Sequence, residues 1–255
     1  MFQRLLKRFK GGGRSPARVP EGMRVYTIGD IHGRADLLQD LHRMIQADAS
    51  TTPSGTKKIA IYLGDYVDRG LHSRDVIDLL LDEPLEDFDT VYLKGNHDDV
   101  FLNFLDDESE GPDWFRVGGD ATVYSYGVRI PHHIALVDRF TYVQEALRAA
   151  VPPRHLAFLA RLEVVREIGD YLFVHAGIQP GRALNEQVPE DMLWIREEFL
   201  ESRADHGKVV VHGHSVSDRP EVRVNRIGID TGAYASHHLT CLVLEGATRR
   251  FLSTA

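Results

Sequence analysis

The chain has 255 residues, 43% of them hydrophobic, which is enough for one large compact domain with a full core. Its formal charge of −8 makes the surface as a whole repel anions, so no broad nucleic-acid-binding face is expected and any phosphate affinity must be local. The single cysteine, Cys241, cannot close an internal disulfide, and no apolar run approaches the roughly 18 residues of a membrane-spanning helix; a reducing, cytoplasmic setting is the expectation.

Residues 1–20 read as a basic tail and linker, with 21–255 as a single domain. Phe2, Leu5, Leu6 and Phe9 fall on one helical stripe before Gly11, Gly12 and Gly13 stop it. Residues 1–18 hold six bases and no acid, so the remaining 24 bases stand against 38 acids, a charge of −14 on the body. So short a helix is marginal by itself, and a solvated tail is expected; contact with an anionic membrane surface or a partner is the alternative. No apolar stretch or small-residue cleavage site follows, so export is not expected.

From Met23 onward, short apolar runs end abruptly in polar clusters. Arg24–Ile28 leads into Gly29-Asp30-Ile31-His32, Ile59–Leu63 into Gly64-Asp65, and Val91–Leu93 into Gly95-Asn96-His97-Asp98. Later, Tyr171–Val174 ends at His175, Val209–Val211 at His212-Gly213-His214, and Ile227–Ile229 at Asp230. These predict buried strands with polar carboxyl ends, where ligands of layered α/β proteins collect. Helical spacing at Asp36–Ala47 and Ser73–Leu81 lies between the first strands. Residues 99–165, with helix-like stretches at Tyr142–Ala150 and Pro153–Leu162, predict a mostly helical insertion beside the site.

The strand ends bring forward Asp30, His32, Asp65, Asn96, His175 and His214, carboxylate, imidazole and amide donors with no thiolate. Such a set suits manganese, iron or zinc. A carboxylate can bridge two ions. Asp65 is the candidate bridge, with Asp30 and His32 completing one site and Asn96, His175 and His214 the other.

The runs GDIHGR at 29–34, GDYVDRG at 64–70 and GNHDD at 95–99, followed by VHAG at 174–177, HGHS at 212–215 and DTGA at 230–233, resemble the phosphoprotein phosphatase branch of the calcineurin-like metallophosphoesterases. The short bacterial and phage-lambda types are the most similar, and the motifs span residues 24–244. The resemblance implies an α/β sandwich of two mixed β-sheets flanked by helices. It implies the same six metal ligands, two divalent ions with Mn2+ first and Fe or Zn as alternatives, and phosphomonoester hydrolysis through a metal-bridging hydroxide. It also implies His97 as general acid paired with Asp68, and Arg69 with Arg196, beside Asn96, as phosphate-binding residues. Ser215 stands where the family usually has threonine after HGH, and can still donate a hydrogen bond.

A phosphorylated protein carrying phosphoserine or phosphothreonine, and phosphotyrosine beside them, is the expected substrate, with a small phosphoester as the simpler case. A diadenosine tetraphosphate or other nucleotide phosphohydrolase is the alternative, for which Trp114, Phe115, Tyr124 and Tyr126 offer aromatic stacking partners; an inactive phosphate-binding module is the reading from another class. Asp98 and Asp99 read as solvated or supporting residues, His132, His133, His237 and His238 as surface, and Tyr234 as a residue bordering the substrate mouth.

Overall fold

A computed structural model describes residues 16–254, and within them two mixed five-stranded sheets lie between helical layers. The helical stripe expected at Phe2–Phe9 lies outside the described residues. Of the tail, Val19 is buried and its N–H donates to Gly246 O at 3.0 Å, which anchors the start of the domain.

Strands β1 (Met23–Ile28), β2 (Lys57–Tyr62) and β3 (Asp89–Tyr92) pair in parallel, and helices α1 (Ala35–Ala49) and α2 (Ser73–Asp82) make the crossovers that parallel pairing requires. Helices α3 (Asn96–Asp106), α4 (Gly111–Arg116), α5 (Gly119–Ser125), α6 (Arg139–Ala150) and α7 (Pro153–Leu159) follow. Strands β4 (Val165–Ile168) and β5 (Tyr171–Val174) begin the second half, followed by helices α8 (Pro189–Trp194) and α9 (Glu197–Leu200). Then come β6 (Val209–His212), β7 (Glu221–Val222), β8 (Arg226–Gly228), α10 (Ala233–Ser236), β9 (Thr240–Glu245) and β10 (Thr248–Ser253).

The sheets run β10-β9-β1-β2-β3 and β4-β5-β6-β8-β7. Each is mixed: β9 is antiparallel to β1 and β10, and β4 and β7 are antiparallel to β5 and β8. Side chains alternate across a strand, and here both faces are covered, which is why the runs read as continuously apolar. Val25, Ile59 and Ile61 meet Phe173, Val211 and Ile227 between the sheets, while Tyr26, Ile28 and Tyr62 turn the other way onto Leu38, Leu41 and Ile45 of α1. On the far side, Leu172, Val174 and Val210 pack against Met192, Ile195 and Phe199. Each such buried side chain contributes about 1.5–3 kcal/mol.

Strands β4, β7, β9 and β10 are additions to the six runs that periodicity singles out. Three of the four lie at sheet edges, where pairing supplies what the side chains do not. The consequence for function is geometric. The carboxyl ends of β1, β2 and β3 and those of β5, β6 and β8 open onto one cleft, so Asp30 Oδ2 accepts from His214 N–H at 2.9 Å although the residues are far apart in sequence.

Candidate metal centre

The strand ends turn sharply before they present their side chains. His32, Asp65, Asp68, Arg69 and His214 all adopt left-handed backbone, with φ between 46° and 71°. Non-glycine residues in that region cost about 1–3 kcal/mol each and persist only where the surroundings hold them. The holding bonds are visible: His32 N–H donates to Asp65 O at 2.8 Å, Gly33 N–H to Tyr66 O at 3.0 Å and Arg69 N–H to Gly118 O at 3.0 Å. Close approach also demands glycine, since a Cβ on Gly95 would collide with Asp65 and one on Gly213 with Asp30 Oδ1.

Two buried trios of ligand atoms result, one from His32, Asp65 and His97 and one from Asp65, His175 and His214, each with its atoms within 4.8 Å of one another. Asp65 belongs to both: its Oδ2 lies 3.3 Å from His32 Nε2 and its Oδ1 3.5 Å from His175 Nε2. Asn96 Oδ1 completes the second group, 2.9 Å from His175 Nε2 and 2.8 Å from His214 Nδ1. Asp30 is a member of neither trio but borders the second. Its Oδ2 is taken by the His214 N–H, while its Oδ1 is buried with no hydrogen-bond partner.

These groups fit divalent cations. His175 Nδ1 faces Leu63 O at 2.9 Å and His32 Nδ1 faces Val67 O at 2.9 Å, contacts that put the ring protons on Nδ1 and leave the Nε2 lone pairs directed inward. A lone pair on His175 Nε2 then confronts the carbonyl oxygen of Asn96 with no proton between them, an arrangement that a cation resolves. Burial lowers the pKa of His32 to about 3 and depresses those of His175 and His214, so the imidazoles remain neutral donors. Burial, then the neighbouring Asp230 and Asp65 charges, raise the Asp30 carboxyl well above its ordinary range. Asp30 Oδ1, His32 Nε2, His214 Nε2 and Asp230 Oδ2 are all buried without hydrogen-bond partners.

Beside the trios, His97 Nδ1 meets Asp68 Oδ2 at 2.7 Å, and Arg69 Nη2 approaches His97 Nε2 at 3.2 Å. Burial opposes a charge on His97, but the Asp65 and Asp68 carboxylates prevail and raise its pKa above 6.5. A proton on Nε2 and a guanidinium donor at 3.2 Å exclude each other; an anion between them would accept from both. Arg196 is exposed on the opposite flank, its Nη1 3.4 Å from His214 O. His132, His133, His237 and His238 are exposed, as their surroundings in sequence suggest.

The aromatic neighbours depart from expectation, while the two acidic ones divide between the roles expected of them. Trp114 and Tyr126 are buried, Phe115 is partly buried and only Tyr124 is largely exposed, so the cluster does not form a stacking surface. Trp114 instead packs on Phe101 and Phe104. Asp98 is fully buried and takes the supporting role, accepting from the N–H groups of Asp65, Tyr66 and Gly95 at 2.9, 3.0 and 2.9 Å. Burial and the Asp65 charge raise its carboxyl to about 8 against the pull of those three donors. Asp99 pairs with Lys94 at 2.9 Å. Tyr234, 38% exposed, stands edge-on to His32 with Arg69 4.7 Å over its ring, and Trp194, 41% exposed, stands edge-on to His214. No spacing in the sequence signals the place of Trp194 at the rim.

A family model, Calcineurin-like phosphoesterase, matches residues 23–244. Serine/threonine-protein phosphatase 2 of Escherichia coli is 27% identical over 225 residues, 85% of this chain and 90% of its own. A bis(5'-nucleosyl)-tetraphosphatase of Anoxybacillus flavithermus is 25% identical over 239 residues, 84% of this chain and 88% of its own. Among solved structures, a cold-active protein-tyrosine phosphatase of a psychrophilic Shewanella species superposes with a TM-score of 0.55 at 15% identity, covering 92% of this chain and 83% of that one, a likeness of fold.

Proposed function

The chain belongs to the calcineurin-like phosphoesterases, a family of metal-dependent hydrolases, and on that premise we propose that it is a binuclear phosphoprotein phosphatase acting on phosphoserine and phosphothreonine. The observation that carries the reading is the sharing of Asp65 between two buried donor trios. Asp30, His32 and Asp65 would hold one ion, and Asp65, Asn96, His175 and His214 the other. Two bound divalent ions, manganese first, supply Lewis acidity toward the phosphoryl oxygens and acidify a water nucleophile.

The remaining chemistry falls to the chain's own side chains. Arg69 and Arg196 flank the cluster from opposite sides, and guanidinium forks match the oxygens of a phosphoryl group whose charge shifts as its bond breaks. Asp68 orients His97 through Nδ1, so Nε2 presents a proton to the leaving oxygen. Arg69 would then move from His97 Nε2 onto the phosphate, which separates two donors that cannot face each other. Asn96 adds an amide within reach of the same oxygens. A reducing, cytoplasmic setting suits the buried thiol of Cys241, and no described helix is long and apolar enough to cross a membrane.

Protein substrate is favoured by the likeness to the Escherichia coli phosphatase over most of both chains. A nucleotide reading draws on the tetraphosphatase relative and on the half-exposed rings of Trp194 and Tyr234 at the rim, which could stack on a base. Side-by-side rates on phosphoserine, phosphothreonine and phosphotyrosine peptides and on a dinucleoside tetraphosphate, with manganese, decide between them. Higher kcat/KM on the tetraphosphate would overturn the protein assignment. No metal uptake and no turnover on any of these would leave an inactive phosphate-binding module.

A further inference from the structure

We infer that Trp114 and Thr122, both on the helical insertion, are positioning residues for the Asp68–His97 pair. The inference rests on the general-acid reading of His97 above and concerns what holds that acid in place. Asp68 is fully buried and carries strained left-handed backbone, with φ 71°, followed by Arg69 with φ 65°. The motif that contains both residues makes few of the bonds that hold them. Trp114 Nε1 donates to Asp68 Oδ2 at 2.9 Å and Oδ1 at 3.1 Å, and Thr122 Oγ1 donates to Oδ1 at 2.6 Å. The same threonine oxygen accepts from Asp68 N–H at 2.9 Å, beside Ser73 Oγ at 3.1 Å.

The insertion also grips the next residue. Arg69 N–H donates to Gly118 O at 3.0 Å, and Gly118 has φ 110° with no space for a Cβ beside Arg69. Gly119 lies against the Trp114 ring so closely that a Cβ there would collide with it. The indole is thus wedged between Gly119 and the rings of Phe101 and Phe104, with one polar atom, and that atom points at Asp68. A carboxylate fixed by an indole and a hydroxyl presents a single oxygen direction to His97 Nδ1, and this sets where Nε2 points. The insertion is therefore part of the acid's support as well as a neighbour of the substrate cleft.

The experiment uses Trp114→Phe, which keeps the aromatic packing but removes the N–H, and Thr122→Val, which keeps the shape but removes the hydroxyl. Each is assayed with manganese on glycerol phosphate, whose alkoxide needs a proton, and on p-nitrophenyl phosphate, whose leaving group does not. The expected result is a loss of about tenfold in kcat on glycerol phosphate, with less than about threefold on the aryl ester and KM unchanged. Thr122→Ser restores the rate. In a His97→Asn background both substitutions become silent, because they act through His97. Equal losses on both substrates, or losses that persist without His97, overturn the positioning role. Failure of His97→Asn itself to discriminate the two esters would instead overturn the acid assignment, so the two failures are distinct. Should Trp114→Phe not fold, Thr122→Val and its serine rescue carry the test.

Discussion

Lowering the pH should destabilise this protein through His42, a residue remote from the catalytic motifs. His42 lies on the buried stripe of α1 with Leu38, Leu41 and Ile45, 8% exposed, and its Nε2 is 2.7 Å from Tyr62 OH. The hydroxyl donates to that nitrogen while it is unprotonated; protonation would reverse the bond and, at greater cost, place a positive charge inside the core. Burial accordingly lowers the imidazole pKa from 6.5 to about 4. Because the folded value is the lower one, the unfolded chain takes up the proton first. Stability is unaffected above pH 6.5, falls as the pH drops from 6.5 toward 4, and changes no further below that. The separation corresponds to about 3 kcal/mol at 1.36 kcal/mol per pH unit, or roughly 6–12 °C in Tm for a chain of this length. The assay is urea unfolding of wild type and His42→Gln across that range. Gln can accept from Tyr62 but cannot titrate, so its stability should fall by about 3 kcal/mol less over the interval. Parallel pH profiles for the two proteins, or a His42 pKa near 6.5 measured by NMR in the folded state, would refute the reasoning.

Gly213→Ala should abolish metal uptake and turnover together while the chain still folds, because the new Cβ collides with Asp30 Oδ1; metal content after dialysis against manganese reads this, and a normal content would refute it. Chelation should lower Tm as well as activity, since Asp30, Asp65 and Asp230 are buried and crowd one another without a cation; at about 100 times Kd, added metal should restore about 2.7 kcal/mol of stability. A Tm indifferent to metal would argue against cation binding by these groups. Arg69→Lys should lower kcat/KM by about tenfold to a hundredfold despite retaining charge, because an ammonium cannot make the forked contact, and Arg196→Lys should cost less, its side chain being exposed; the reverse order would exchange their roles.

The fold class was legible because the chain states it locally. Each buried strand is a short apolar run, and a strand's carboxyl end is a point in the sequence as well as in space, so the polar residue that closes each run marks Asp30, Asp65, Asn96, His175 and His214. Three of the four edge strands were not legible: Thr248–Ser253, for one, carries Arg249 and Arg250, and pairs because β9 offers it a ladder. Nor could the contrast between neighbours be read. Asp98 and Asp99 are identical in type and adjacent on α3, yet one turns inward to three backbone N–H groups and the other outward to Lys94.

By itself, then, the sequence determined the layered α/β architecture, the family and the chemical character of the donors, since these depend on side-chain type and on periodicity within a few residues. Only the tertiary structure decided which side chains converge, that Asp65 belongs to both donor trios, and that Trp114 faces a carboxylate instead of a substrate. The physical reason is that those outcomes depend on ångström-scale distances between segments whose separation along the chain exceeds any local pattern. Packing of two sheets and an insertion against one another sets those distances.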